Sequence, residues 1–178
     1  MKIAIDIGHA HATGASGNGL QEHAVCNGLA AFLADELESY FEVLVVDFPK
    51  LSNTGDLRET VREINKYAPA LSISLHCDSS QNATACGAHV IYVSEAGRAA
   101  AVEIAGRLCP LMPGRANRTV KRSDLYVLNN TRCPAVLVEC GFLTNTRDAD
   151  MLRYEGRRLA RAIASGVREW ARRREMGS

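Results

Sequence analysis

Three apolar runs in this chain end on side chains that can hold a metal or work beside one. KIAIDIGH closes on His9, ALSISLH on His76 and AVLVE on Glu139. Two imidazoles and a carboxylate in one place suit hydrolysis at a zinc ion. Such a centre needs three ligands from His, Glu or Asp and an open position for water. It also needs a carboxylate outside the shell to take the water's proton. The runs are short, rich in Ile, Val and Leu and almost uncharged, as strands covered on both faces of a parallel sheet are. Ligands of open α/β sheets sit outside the carboxyl ends of the strands. If the three strands are parallel neighbours, these side chains share one edge.

The third ligand is expected from the helix that follows the His9 strand. Glu22 stands four residues before Cys26 and seven before Leu29, with Leu33 completing the row, so its carboxylate lies on the apolar stripe that faces the sheet. A helix-start acid serving only the macrodipole is the plainer alternative. His23 falls about 100° further round and suits the inner face less well. Glu139 is costly to bury without a partner, and that partner is either the metal's water or an arginine from the basic stretch 115–122. His11 lies in a loop near the site, where it could touch substrate or simply be exposed. His89 receives no role. Cys140, next to Glu139, raises a Cys–His hydrolase reading with His76, but its apolar neighbours disfavour a thiolate.

The elements that must position these residues alternate strand and helix. A small-residue loop, AHATGASGN, precedes a helix from about Gly19 to Ser39. FEVLVVDF is a buried strand closed by Pro49. DLRETVREINKY is an amphipathic helix, with Asp56 as N-cap and Leu57, Val61 and Ile64 on one face. GAHVIYVS alternates and is expected near a sheet edge, where an antiparallel strand is one of the two arrangements open to it. Residues 95–108 form a helix stopped by Pro110, and 114–130 a polar loop with a short strand at LYVL. The last helix, about 155–174, buries Leu159, Ile163, Val167 and Trp170. The pattern predicts one α/β domain over 1–175: a mostly parallel sheet of about six strands with helices on both faces.

At 178 residues the chain has room for one well-buried core. A net charge of +1 gives no field to attract nucleic acid. The arginines from Arg157 to Arg174 read as a solvated helix face. No run is long enough for a membrane span, and no signal peptide precedes the first strand. The six cysteines include no CxxC pair, so a Cys-ligated structural zinc is not expected and no disulfide is needed.

Together IDIGH, the Glu22 helix, SISLHCD and PAVLVECGFLTN resemble the zinc-dependent N-acetylmuramoyl-L-alanine amidases, the cell-wall amidase family. The resemblance runs from about Lys2 to the final helix and is most specific in VKRSDLYVLNNTRCPAVLVECGFLTN. It implies that His9, Glu22 and His76 hold zinc, that Glu139 is the catalytic acid/base, and that the substrate is peptidoglycan. A monomer is expected, without a plugging insertion or a wall-binding module. Lacking a signal peptide, it would reach the wall by release, as part of a longer secreted protein, or from a phage. Two departures bear on the groove beside the metal: Ala10 and His11 replace the family's usual glycines, and Asp78 its usual Asn. Two other readings are a zinc peptidase or amidohydrolase acting on another amide, and a non-catalytic wall-binding domain. The second predicts the loss of at least one of the four residues, and all four are present.

Overall fold

The computed structural model describes residues 1–10, 13–48 and 52–176. Six strands form one sheet: β1 (Lys2–Ile7), β4 (Glu42–Val46), β5 (Leu71–Asp78), β6 (His89–Tyr92), β7 (Thr119–Lys121) and β8 (Ala135–Phe142). Their order is β4-β1-β5-β8-β6-β7. The first four are parallel, and β6 joins β8 antiparallel and pairs with β7 in parallel. The alternating strand GAHVIYVS is therefore antiparallel to its inner neighbour, but β7 takes the edge.

Because successive side chains point to opposite faces, each strand feeds two layers. Ile3, Ile5, Leu71, Ile73, Val136 and Val138 enter the main core. That core is closed by α1 (Glu22–Leu37), α3 (Glu95–Leu108) and α6 (Gly156–Met176). The other face carries Ala4, Asp6, Ser72, Ser74 and Leu137 beneath α2 (Asn53–Tyr67) and the short α4 (Tyr126–Asn130). A further helix, α5 (Thr146–Tyr154), follows β8. The arginines of α6 pair across to its neighbours: Arg157 with Asp35, Arg161 with Glu36 and Arg173 with Glu103. Such exposed pairs align helices but add little stability.

Four expectations need correction. LYVL belongs to α4, not to a strand, and the strand of that segment is β7. The first helix begins at Glu22, because Ser16–Gly17 (β2) and Leu20–Gln21 (β3) form a small hairpin. Its two-residue turn, Asn18–Gly19, has positive φ at both positions, the geometry of a type I′ turn. In α2 the cap is Ser52, whose hydroxyl accepts from the Gly55 N–H at 3.2 Å. Asp56, one turn inside, is then buried at 4% exposure while Leu57 is 37% exposed. Pro49, expected to close β4, lies outside the described residues. No helix among the described residues is long and apolar enough to cross a membrane.

Candidate functional site

His9, Glu22 and His76 converge at the carboxyl end of β1 and β5, each offering one ligand atom, with all three atoms within 4.8 Å of one another. His76 stands near the end of β5, partly exposed between the buried Leu75 and Cys77. His9 stands just past β1 with φ of 66°, a left-handed conformation that non-glycine residues hold only where their surroundings compel it. Glu22 is the first residue of α1 and is buried; Cys26, Leu29 and Leu33 on its row enter the core.

The carboxylate of Glu22 sits at the hub. Its Oε1 lies 3.1 Å from His76 Nδ1 and accepts from the Cys77 N–H at 3.0 Å. Its Oε2 lies 3.3 Å from His9 Nε2 and accepts from the Ala15 N–H at 2.6 Å. Burial by itself would raise this carboxyl. The bonds to His76, His9, Ala15 and Cys77 outweigh it and hold the group far below the usual carboxylate range. For His76, burial works against charge, but Glu22 and the nearby Glu139 raise the imidazole above its ordinary value. Two glycines make room for this approach. A Cβ on Gly8 would stand 2.4 Å from the His76 ring, and one on Gly14 would stand 2.6 Å from Glu22 Oε2.

Glu139 pairs in register with His76 on the neighbouring parallel strand. Its Oε2 is buried without a hydrogen-bond partner among the described residues. Burial pushes the carboxyl up to about 7; His76 opposes this, Asp78 and Glu22 add to it, and Arg115 opposes. Among the arginines of 115–122, Arg115 directs its guanidinium to Asp78 Oδ2 at 2.5 Å and over the Phe142 ring, and Arg122 pairs with Asp124. Two imidazole nitrogens and one carboxylate oxygen, with an orphaned carboxylate beside them, fit a three-ligand metal centre with an open position.

The remaining candidates lie elsewhere or play other parts. His23 is buried but turns away, 3.0 Å from Asp47 Oδ1. His11 lies outside the described residues. Cys140 is fully buried, and burial pushes its thiol well above its usual value, with Cys77 and Glu139 adding to the effect, so no reactive thiolate forms there. His89, given no role from sequence, stands in register opposite Glu139, with Nδ1 3.6 Å from Asp78 Oδ2. Asp6 has no part in the sequence reading, and Asp56 figures there only as a helix cap. Asp6 is held by the Ser74 hydroxyl at 2.5 Å and by Thr60. An isolated Asp inside KIAIDIGH was the available signal, since a strand buried on both faces has no place for a lone carboxylate.

Comparison with known proteins shows the family. The profile of the N-acetylmuramoyl-L-alanine amidase family matches residues 3–169. An uncharacterized Bacillus subtilis protein, YqiI, is 32% identical over 93% of this chain and 82% of its own length. The Bacillus subtilis N-acetylmuramoyl-L-alanine amidase LytC is 31% identical over 93% of this chain, which spans 34% of LytC. Among solved structures, the catalytic domain of the CD27L endolysin targeting Clostridia difficile superposes with a TM-score of 0.87 at 27% identity, covering 95% of this chain and 97% of that domain. Fold, site and similarity converge on one conclusion: the chain belongs to the N-acetylmuramoyl-L-alanine amidase family and is an amide hydrolase of that class.

Proposed function

We propose that residues 1–175 form a monomeric, zinc-dependent catalytic domain acting on peptidoglycan. It hydrolyses the amide between the lactyl group of N-acetylmuramic acid and the L-alanine of the stem peptide. The observation that carries this reading is the cluster of His9, Glu22 and His76 with Glu139 in register beside it. Imidazole and carboxylate donors with no thiolate suit zinc in a catalytic rather than a structural role. A zinc ion held there would polarise the carbonyl and lower the pKa of water towards about 7.

The chain's own residues do the rest. His9 and His76 bind through ring nitrogens, and Glu22 is kept ionised and oriented by the Ala15 and Cys77 amides, so the ligand set is arranged before the metal arrives. Glu139 Oε2 takes a proton from the attacking water and returns it to the departing alanine nitrogen. Burial raises the proton affinity of this carboxyl in the metal-free protein, the direction a group that must hold and return a proton requires. Its place on a rigid strand keeps the acceptor from wandering.

The test pairs metal analysis of the purified protein with mass spectrometry of digested peptidoglycan. Free N-terminal L-alanine on intact stem peptides and about one zinc per chain are expected. Glu139→Gln should retain the metal and lose about 10²–10⁴-fold in turnover. Cleavage within the stem peptide, or turnover by Glu139→Gln near that of the wild type, would defeat this reading.

A further inference from the structure

A cavity of about 320 Å³ opens beside the metal-binding histidines, on the α2/α4 side of the sheet. His9 and His76 form one end of it, and Leu137 and Val127 contribute apolar wall. Asp56 also lines it, from the first turns of α2. That side chain is only 4% exposed, and its Oδ1 has no hydrogen-bond partner among the described residues. Burial and the carboxylates of Asp6 and Asp47 push it up to about 6. A buried acceptor left unpaired costs roughly 1–3 kcal/mol. Nothing in the packing of α2 requires it, since Ser52 already caps the helix. Two further features point outward: Leu57 and Tyr126, 37% and 44% exposed, both line the same cavity. Asp6 also lines the recess, but its oxygens are taken by Ser74 and Thr60. Exposed apolar side chains around a recess with one unpaired buried acceptor describe a binding pocket for a group with an apolar body and an N–H donor.

We propose that this cavity is the subsite for the 2-acetamido group of the muramic acid residue, whose N–H is received by Asp56. The assignment rests on the proposed amide hydrolysis. Because two walls are the metal-binding imidazoles, the occupant lies close to the scissile bond. In N-acetylmuramic acid the carbon bearing the acetamido group adjoins the carbon bearing the lactyl ether, so its N–H is only a few bonds from the reacting carbonyl. The side-chain amine of a diamino acid, another donor in a stem peptide, is two residues away at the end of a long chain. The acetamido methyl meets Leu137 and Val127, and the pyranose ring rests against Leu57 and Tyr126. Asp56 is then a specificity residue, taking no part in the proton transfers.

The experiment uses two synthetic muropeptides, one with the natural 2-acetamido group and one with hydrogen in its place. For the wild type, kcat/KM should favour the acetamido substrate by about 10- to 100-fold, the worth of a hydrogen bond to a charged acceptor. Asp56→Leu should shrink that preference to about twofold while keeping zinc content and a melting temperature no lower than that of the wild type. Binding of the same pair to Glu139→Gln, with and without Asp56→Leu, should show the same collapse. If Asp56→Leu does not fold, Asp56→Asn replaces it, with a loss of several-fold expected. A preference unchanged by either substitution would overturn the subsite. So would a dependence on Asp56 that vanishes when the diamino acid is removed from the stem peptide. Failure of the wild type to hydrolyse either muropeptide would instead count against the amide reading, and the binding measurement would still decide the subsite.

Discussion

The two faces of the sheet are built from the same strands but differ in kind. On one, Ile3, Ile5, Ile73 and Val138 meet three helices in a continuous apolar core. On the other, Asp6, Ser72 and Ser74 alternate with small residues beneath α2 and α4, and a cavity remains. The buried side-chain polar atoms without a hydrogen-bond partner among the described residues are Asp56 Oδ1, Tyr67 Oη, His89 Nδ1 and Glu139 Oε2; all belong to the second face. The first face supplies rigidity and the second supplies room and unspent hydrogen-bonding capacity. Division of labour between faces lets one small domain be stable and reactive at once.

Core truncation tests this contrast most strongly. Ile73→Ala, in the thick core, should cost about 2–5 kcal/mol in a denaturant titration. Its kcat/KM should change little in what remains folded. Leu137→Ala, beside the cavity, should cost about 2 kcal/mol, the low end of that range, and raise KM. Equal stability costs with no effect of Leu137→Ala on KM would erase the distinction.

A smaller effect is expected from Gly14→Ala. The added Cβ would press on Glu22 Oε2 at 2.6 Å and on the His9 ring at 2.9 Å, at a φ of +87°. Displacing groups that orient ligands typically weakens metal binding about 10- to 100-fold. A competition titration against a chromophoric chelator would measure it, with unchanged circular dichroism showing that the core is intact. Wild-type affinity would mean that the site yields more easily than its packing suggests.

The mildest expectation concerns Asp56 and pH. Its folded pKa, pushed up to about 6, lies above the ordinary value for an aspartate. The neutral carboxyl is therefore tolerated at low pH, and stability is lost as pH rises through 6. Asp56→Asn lacks that loss. Its melting temperature should match the wild type near pH 4 and exceed it by a few degrees at pH 7. A difference independent of pH would show that Asp56 does not titrate in the folded protein.

The parts legible in the sequence are those where a strong period meets a polar terminus. The runs closing on His9, His76 and Glu139 are too apolar to be anything but inner strands, and the row Glu22, Cys26, Leu29, Leu33 fixes which side of α1 faces inward. The structure brings the first two histidines and Glu22 together and sets Glu139 beside His76. Weak periods were misread. LYVL is four apolar residues, too few to separate strand from helix. TVK hides an edge strand in a basic segment, and the hairpin at 16–21 has strands of two residues, too short to show alternation. Asp56 was taken for a cap because capping depends on the residue that ends the preceding loop, and Ser52 is equally suited. Its burial depends on how α2 rolls on the sheet, and that is tertiary information.

The small hairpin before α1 has a reach out of proportion to its size. Asn18 donates to the Leu143 carbonyl at 2.8 Å, and Arg153 of α5 reaches back to the Asn18 carbonyl. Glu22 and Ala15 bond each other in both directions, backbone to backbone and amide to carboxylate. The segment 13–21 is thus tethered at intervals, and one tether grips the turn just beyond the strand that carries Glu139. Slack introduced anywhere in it would be felt at both Glu22, which orients the histidines, and Glu139, the proposed proton acceptor. Length in this segment is therefore under tighter constraint than its composition: glycine, serine and asparagine look like freely variable loop, yet they act as a gauge block setting the distance between two halves of the catalytic apparatus.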